Sequence, residues 1–268
     1  VKATGFDGIE LPAALGESYS TAQREDLRRL LRALDLPCAA VRGGGGMHDP
    51  RVAAANRERL ENSVRFAAEI GAEVLNATVT TPPRDPGGPG SFVGDPVSQG
   101  SSRLASTSDF ERSADGFREV ADLAADEGIR ISIEVHQHSI ADCSWAALHL
   151  LDLIDRPNVG ANPDLGNVYW TYETPEETTE AAIVALAPRA MYMHCKNLVR
   201  VHIPELRHSI FLRVPLSDGD IDYRFAITAM HEAGFDGYLA VEGARDGDQL
   251  TNDARSLAYL RELLAELG

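Results

Sequence analysis

Short apolar runs alternate with longer amphipathic segments along most of the chain. Residues 130–136 (RISIEVH) alternate and are rich in β-branched side chains, which predicts a strand, whereas Pro50–Ile70 repeats its apolar positions with helical spacing. The same pattern predicts further strands at Gly8–Leu11, Cys38–Val41, Glu73–Val79, Asn158–Asn162, Arg189–Cys195 and Gly237–Glu242. The other predicted helices are Thr21–Leu34, Ser108–Glu127, Trp145–Ile154, Pro175–Leu186, Asp222–Ala233 and Asn252–Leu267.

Strands and helices therefore alternate along the chain, and each helix is long enough to connect two parallel strands, which predicts an α/β fold. The seven predicted strand–helix pairs are one short of a (β/α)8 TIM barrel, which typically takes about 250 residues. The seven residues before Gly8 resemble the end of a helix. We therefore expect the first βα unit to lie upstream of Val1. An open doubly wound sheet is the alternative, although no G-x-G-x-x-G turn follows an early strand.

Two stretches lack a periodic pattern. Residues 81–102 are rich in Pro, Gly and Ser, and residues 197–220 form a second irregular segment. Long segments of this kind inside a compact domain are usually functional or disordered. We interpret residues 1–268 as a single TIM-barrel domain with long loops at about 80–105 and 197–220.

The charge balance narrows the classes of partner. The chain has 268 residues and carries 41 Asp and Glu against 25 Lys and Arg, a net charge of −16. Nucleic-acid binding relies largely on Lys and Arg that neutralise phosphates, so this balance argues against a nucleic-acid partner. No apolar run reaches the ~18 residues that a membrane helix needs, and no signal peptide is evident. Because the three cysteines lack disulfide or zinc spacing, we expect a cytoplasmic protein.

Side chains that can bind metal follow the predicted strands at their carboxyl ends, where the working residues of a barrel lie. Four of them follow successive strands at spacings of 30, 30 and 48 residues. Three carboxylates and an imidazole that converge would repel one another without a cation, and this oxygen-rich set suits Mn²⁺, Mg²⁺ or Co²⁺. Strand-end carboxylates can instead cap helices. The pattern predicts one divalent metal ion held by Glu134, Asp164, His194 and Glu242. Mn²⁺ is the leading candidate for this ion.

Other polar residues flank these strand ends. His136 lies two residues after Glu134, so a strand places both on one face, and His136 is either an acid–base or substrate-binding group or an inert rim histidine. Lys196 bears the same relation to His194 and could neutralise an oxyanion or pair with an acid. Three more residues near the expected mouth are candidates for substrate binding: His48, Arg213 and Arg245.

Several motifs together resemble the xylose-isomerase-like TIM-barrel superfamily. They are GFDGIEL near the start, IEVH at Glu134, NVGANPDLGN around Asp164, MHCKN around His194 and VPLSDGDIDYRFAITAMHEAGFDGYLAVE leading to Glu242. The resemblance implies that these four residues bind one divalent metal. It also implies that the two glutamates transfer protons on opposite faces of the substrate, which makes Glu134 and Glu242 catalytic candidates beside His136. The superfamily holds sugar isomerases and epimerases, inosose dehydratases and endonuclease-IV-like proteins, and the acidic charge disfavours the last group.

The chain departs from that superfamily at two pocket positions. Many members have His at the position of Asn167 and Asp at the position of Asn197. Asn167 therefore joins Lys196 as a candidate substrate-binding residue. A narrower resemblance, to the α subunits of bacterial C-glycoside deglycosidases, is carried by NPDLGNVYWTYETPEET and HCKNLVRVHIPELRHSIFLRVPL.

These resemblances imply related reactions. The first is isomerisation or epimerisation of a sugar-like keto or polyhydroxy substrate, by proton abstraction next to a carbonyl. The second is β-elimination from a 3-oxo-C-glycoside, carried out together with a small partner subunit. A non-catalytic sugar-binding barrel is the third alternative. We expect a homo-oligomer, with a small second subunit if the lyase alternative holds.

Overall fold

The computed structural model describes residues 1–80, 83, 85–88, 90–91, 99–170, 176–206, 208–243 and 247–268. The helices are α1 Ala14–Ser18, α2 Thr21–Ala33, α3 Ala53–Ile70, α4 Thr107–Asp126, α5 Ser144–Ile154, α6 Leu165–Tyr169, α7 Thr179–Leu186, α8 Tyr223–Glu232 and α9 Gln249–Leu267. The strands are β1 Ile9–Pro12, β2 Cys38–Gly44, β3 Val74–Thr78, β4 Arg130–Glu134, β5 Val159–Asn162, β6 Met193–Cys195, β7 Asn197–Ile203, β8 His208–Val214 and β9 Leu239–Val241.

Parallel strands form the centre of the molecule. Strands β1 to β5 pair in chain order, with Val41 opposite Leu75 and Ile131 opposite Val159. Strand β6 pairs in parallel with β9, and a bridge from Ala161 to Ala190 links β5 to the segment before β6. These seven parallel strands are the seven expected from the sequence, and the α/β prediction is confirmed.

Helices cover the sheet with their apolar faces. Leu60 and Val64 of α3, Phe117 of α4 and Leu150 of α5 are all fully buried in one core cluster. Each such side chain contributes about 1.5–3 kcal/mol when it leaves water. Because this packing fixes both ends of every strand, it also fixes the side chains at the carboxyl ends of the strands.

The outer edges of β1 and β9 are not paired within the described part of the chain. A cavity of about 430 Å³ lies between these two strands, and Ile9, Tyr192, Tyr238 and Leu239 are among the residues that line it.

The interpretation of residues 197–220 as an irregular loop is wrong. Strands β7 and β8 form an antiparallel hairpin, in which Val201 lies opposite Ile210 and Val199 opposite Leu212. Apolar residues alternate along both strands, and this period of two is a strand signal that the surrounding charged and proline residues conceal. Within the segment around 80–105, residues 81–82, 84, 89 and 92–98 lie outside the described residues. No helix in the described ranges is long and apolar enough to cross a membrane.

Candidate metal and sugar site

Three of the four predicted metal-binding residues meet at one point. Glu134 is the last residue of β4, Asp164 follows β5, and His194 lies in β6. One ligand atom from each residue lies within 4.8 Å of the others. All three side chains are almost completely buried. The carboxyl ends of parallel strands meet at one edge of the sheet, and this is why residues 30 positions apart converge.

Asp164 also caps a helix. Its Oδ1 accepts a hydrogen bond from the backbone N–H of Asn167 at 3.1 Å, at the start of α6. The cap uses one carboxylate oxygen, and the other, Oδ2, faces His194. The capping role and the metal-binding role proposed from the sequence are therefore compatible.

One ring nitrogen of His194 has a hydrogen-bond partner, and the other has none. Its Nε2 lies 2.9 Å from Oε2 of Glu10, and its backbone N–H donates to Oδ1 of Asn162 at 2.7 Å. Its Nδ1 is buried and has no hydrogen-bond partner. This atom faces Oε1 of Glu134 at 3.5 Å and Oδ2 of Asp164 at 3.6 Å.

This geometry fits a divalent cation. An unpartnered imidazole nitrogen and two carboxylate oxygens surround one small volume, and hard divalent cations favour oxygen-rich sets of this kind. Glu134, Asp164 and His194 could therefore hold a metal ion.

The fourth predicted ligand, Glu242, lies beside a lysine. The Nζ of Lys196 is 2.6 Å from Oε2 of Glu242, 2.9 Å from Oδ2 of Asp164 and 2.9 Å from Oδ1 of Asn167. Lys196 is therefore a buried internal cation between Asp164 and Glu242. A Cβ at Gly166 would lie 2.6 Å from Cε of Lys196, so the absence of a side chain there makes room for the lysine.

Two arginines also approach Glu242. Arg42 from β2 and Arg213 from β8 lie 3.6 and 3.8 Å from its Oε1. Burial would raise the pKa of Glu242, but the charge of Lys196 reverses this and lowers it. Glu242 therefore lies at the site as an ionised group, outside the cluster of three.

Two amides hold Glu134 in place. Nδ2 of Asn167 donates to Oε1 of Glu134 at 3.1 Å, and Nδ2 of Asn76 donates to Oε2 at 3.1 Å. Asn76 in turn accepts a hydrogen bond from Asn162 at 3.0 Å. Asn167 thus joins Glu134 to Lys196, which the sequence did not reveal.

Sequence reasoning gave no role to Glu10, Arg42, Asn76 or Asn162. The sequence places Glu10 and Asn76 among the strand-end residues without giving them a role, and in the structure they lie within β1 and β3. Asn162 ends β5, but it lies two residues before the more conspicuous Asp164.

The remaining candidates are placed differently. His136 is half-buried just beyond β4, and its Nδ1 lies 2.6 Å from the backbone oxygen of Gln137. His48 is buried in the segment after β2, where Arg112 donates to its backbone oxygen at 2.8 Å. The guanidinium of Arg213 lies over the ring of Trp170. Arg245 lies outside the described residues.

Electrostatics at the site are closely balanced. Burial would raise the pKa of Glu134, but the nearby charge of His194 lowers it to about 2. Burial would lower the pKa of His194, but Glu134 and Glu10 raise it well above its usual value. Lys196 likewise keeps a raised pKa despite burial, because Asp164 and Glu242 are adjacent. Each of these buried groups therefore keeps its charge because groups of opposite charge lie beside it.

Three known proteins are similar to this chain in sequence or in fold. L-ribulose-5-phosphate 3-epimerase UlaE of Escherichia coli is 21% identical over 285 residues, covering 100% of this chain and 88% of that protein. A xylose isomerase-like TIM barrel protein from Mycobacterium smegmatis, crystallised with magnesium, superposes with a TM-score of 0.81 at 21% identity, covering 99% of this chain and 86% of its own. The 3-keto-D-glucoside 4-epimerase YcjR of E. coli superposes with a TM-score of 0.72 at 18% identity, covering 98% and 91%.

These likenesses establish the fold, which is the TIM barrel expected from the sequence. A family model described as "Xylose isomerase-like TIM barrel" matches residues 1–263. The match spans nearly the whole chain and includes every strand end described above. The chain therefore belongs to the xylose isomerase-like TIM barrel family.

Proposed function

We propose that this protein is a divalent-metal-dependent isomerase or epimerase acting on a sugar-like keto or polyhydroxy substrate. One observation carries the proposal: the buried, unpartnered Nδ1 of His194 faces the carboxylates of Glu134 and Asp164. A buried polar atom without a partner calls for an explanation, and a cation shared with two facing carboxylates supplies one here. The names of the epimerase relatives support the same reaction class.

Glu134, Asp164 and His194 would hold the ion, and Glu242 is the proposed fourth ligand. Mn²⁺ is the first choice, with Mg²⁺ or Co²⁺ as alternatives. When bound, the ion supplies a Lewis acid that polarises a substrate carbonyl. As the fourth ligand, the Glu242 carboxylate would contact both the metal ion and the ammonium group of Lys196.

The two glutamates are the proposed proton carriers. One carboxylate removes the proton from the carbon beside the carbonyl. The other glutamate takes up a proton from water and delivers it to the opposite face, and the first then releases its proton to water. The amides of Asn76 and Asn167 orient Glu134 for this role, whereas Lys196, Arg42 and Arg213 orient Glu242. Lys196, Asn167, His48, Arg213 and Arg245 remain the proposed substrate-binding residues.

Hydrogen exchange in D₂O tests the proposal. Metal-free protein is loaded with Mn²⁺, Mg²⁺ or Co²⁺ and incubated with a panel of free keto-sugars and 3-oxo-glycosides, and NMR follows the replacement of C–H by C–D. We expect metal-dependent exchange next to the carbonyl, and its loss in Glu134→Gln. Protein that binds no divalent ion, or binds it without exchange on any substrate, would overturn the proposal in favour of a non-catalytic barrel.

The same panel separates the lyase alternative. Cleavage of a 3-oxo-C-glycoside shares the first proton abstraction but then expels the leaving group. YcjR is named for a reaction on a 3-keto-glucoside, which supports including such substrates. Epimerisation of a free keto-sugar by this chain alone supports the proposed function. Glycoside cleavage that requires a small partner chain would replace it with the lyase.

We also propose that the protein forms a homo-oligomer through the β7–β8 hairpin. Val201, Ile210 and Leu212 share one face of this hairpin, and each is 44–46% exposed. Contiguous exposed aliphatic side chains of this kind are typical of a protein–protein interface. The hairpin segment carries three arginines and one glutamate in a chain of net charge −16. Electrostatic attraction therefore favours a second, acidic copy of the chain as the partner of this hairpin.

Light scattering after size-exclusion chromatography tests this interface. Ile210→Asp should shift the protein to monomer, whereas Val184→Asp, at an exposed site on α7, should not. A monomer in both the unchanged protein and the variant would exclude the homo-oligomer and leave a small second subunit as the occupant. The cytoplasmic location expected from the sequence remains a proposal.

A further inference from the structure

We propose that Glu10 is a positioning residue that holds His194 in the form that can bind a metal. The inference rests on the metal site of the proposed function. Oε2 of Glu10 lies 2.9 Å from Nε2 of His194. A carboxylate can only accept a hydrogen bond, so this contact requires the proton to be on Nε2. The nitrogen that faces Glu134 and Asp164 is then Nδ1.

A neighbouring amide favours the opposite arrangement. Nδ2 of Asn76 lies 3.3 Å from the same Nε2. The orientation of this amide is set by its other contacts, because its oxygen accepts from Asn162 and its nitrogen donates to Glu134. An amide N–H would favour an unprotonated Nε2 and therefore a proton on Nδ1, the atom needed for the metal. Glu10 and Asn76 thus compete, and Glu10 has the shorter contact.

Glu10 is itself held in place. Nε of Arg42 lies 3.3 Å from Oε1 of Glu10, and the same guanidinium lies 3.6 Å from Oε1 of Glu242. The ring of Tyr192 packs against the His194 ring edge to face at 5.6 Å between centroids. Arg42 and Glu10 therefore connect two proposed ligands, His194 and Glu242, across strands β1, β2, β6 and β9.

This arrangement matches a general property of metal-binding histidines. Such a histidine usually donates its second ring N–H to a carboxylate or carbonyl, and loss of that partner weakens metal binding about 10–100-fold. Glu10 supplies that carboxylate from the opposite end of the chain.

Metal titration of three variants tests the inference. Calorimetry with Mn²⁺ on metal-free protein should show about 10–100-fold weaker binding in Glu10→Ala. Glu10→Gln should bind within a few-fold of the unchanged protein, since its amide oxygen can still accept from Nε2. Glu17→Ala, at an exposed carboxylate on α1, is the matched control and should not change affinity. Circular dichroism identifies any variant that fails to fold. If Glu10→Ala fails to fold, NMR of the His194 ring nitrogens in the unchanged protein still tests the inference.

A spectroscopic measurement separates positioning from general structural support. In Zn²⁺-loaded protein labelled at the histidine ring nitrogens, NMR should show His194 protonated at Nε2 and bound to metal through Nδ1. Metal bound through Nε2, or unchanged Mn²⁺ affinity in a folded Glu10→Ala, would overturn the inference. A protein that binds neither Mn²⁺ nor Zn²⁺ would instead refute the metal site itself.

Discussion

The ammonium nitrogen of Lys196 lies 2.9 Å from Oδ2 of Asp164, and both side chains are almost fully buried. Ion pairs this deep are costly to desolvate and are retained only when every group is well matched. Here the lysine has two further oxygen partners, on Asn167 and Glu242. Lys196 therefore balances carboxylate charge beside the proposed metal position and sets the electrostatics of the site.

We predict that Lys196→Met destabilises the metal-free protein and strengthens its affinity for Mn²⁺. Removing one partner of a buried ion pair costs about 3–5 kcal/mol, because the other charge remains buried. The surplus negative charge at Asp164 and Glu242 should then attract a cation. Urea unfolding of metal-free protein and Mn²⁺ calorimetry measure the two effects.

Lys2→Met is the control for this prediction. Lys2 also pairs with a carboxylate, but its side chain is 43% exposed and Asp35 is 99% exposed. Its removal should change the free energy of unfolding by less than about 1 kcal/mol. Equal stability of Lys196→Met and the unchanged protein would show that the buried pair has no energetic role.

We predict that metal binding releases about one proton near neutral pH. The raised pKa of His194 means that its imidazole is charged in the metal-free protein, whereas Nδ1 must be unprotonated to bind an ion. Glu134, with a pKa of about 2, is already ionised and releases none. Below the pKa of His194, metal affinity should therefore rise about tenfold per pH unit.

Calorimetry in two buffers of different protonation enthalpy measures that proton. The observed binding enthalpies should differ by about the difference between the buffers, and affinity should increase from about pH 6 to about pH 8. Affinity that is independent of pH over this range would contradict a charged His194 in the metal-free protein.

Candidate metal ligands could be located from the sequence because the functional residues of a barrel lie at the carboxyl ends of its strands. Glu134, Asp164 and His194 could be assigned from their position after predicted strands, and the structure brings them within 4.8 Å. Lys196 was identified, but its position between Asp164 and Glu242 was not, since it depends on the bare backbone at Gly166. A contact of this kind depends on packing between residues far apart in sequence.

Residues that act through others were harder to identify. Asn76 lies in no motif, and Glu10 lies in GFDGIEL without a role that the motif reveals. Their contacts with Glu134 and His194 join residues far apart in the chain. The β7–β8 hairpin was missed for a local reason. Its alternating apolar residues were overlooked in a segment with three arginines and two prolines.

We predict that Asn76→Leu lowers kcat without unfolding the protein. Leucine is similar in size but removes the donor to Glu134 and the acceptor for Asn162. Leaving such buried groups unpaired costs about 1–3 kcal/mol. Steady-state kinetics and thermal unfolding test this, with exposed Asn62→Leu on α3 as the control. A folded Asn76→Leu with unchanged kcat would show that Glu134 needs no help from Asn76.

The half-buried His136 distinguishes the two chemistries. Its Nδ1 lies 2.6 Å from the backbone oxygen of Gln137, so Nδ1 carries the proton and Nε2 is free to accept one. If the glutamates transfer the protons, His136→Ala should mainly raise KM, as loss of a substrate hydrogen bond does. This is the outcome we predict. A fall in kcat of roughly 10²–10⁴-fold would instead make His136 the base and favour the lyase. His149→Ala, at an exposed histidine on α5 that contacts Phe110 edge to face, should leave both constants unchanged.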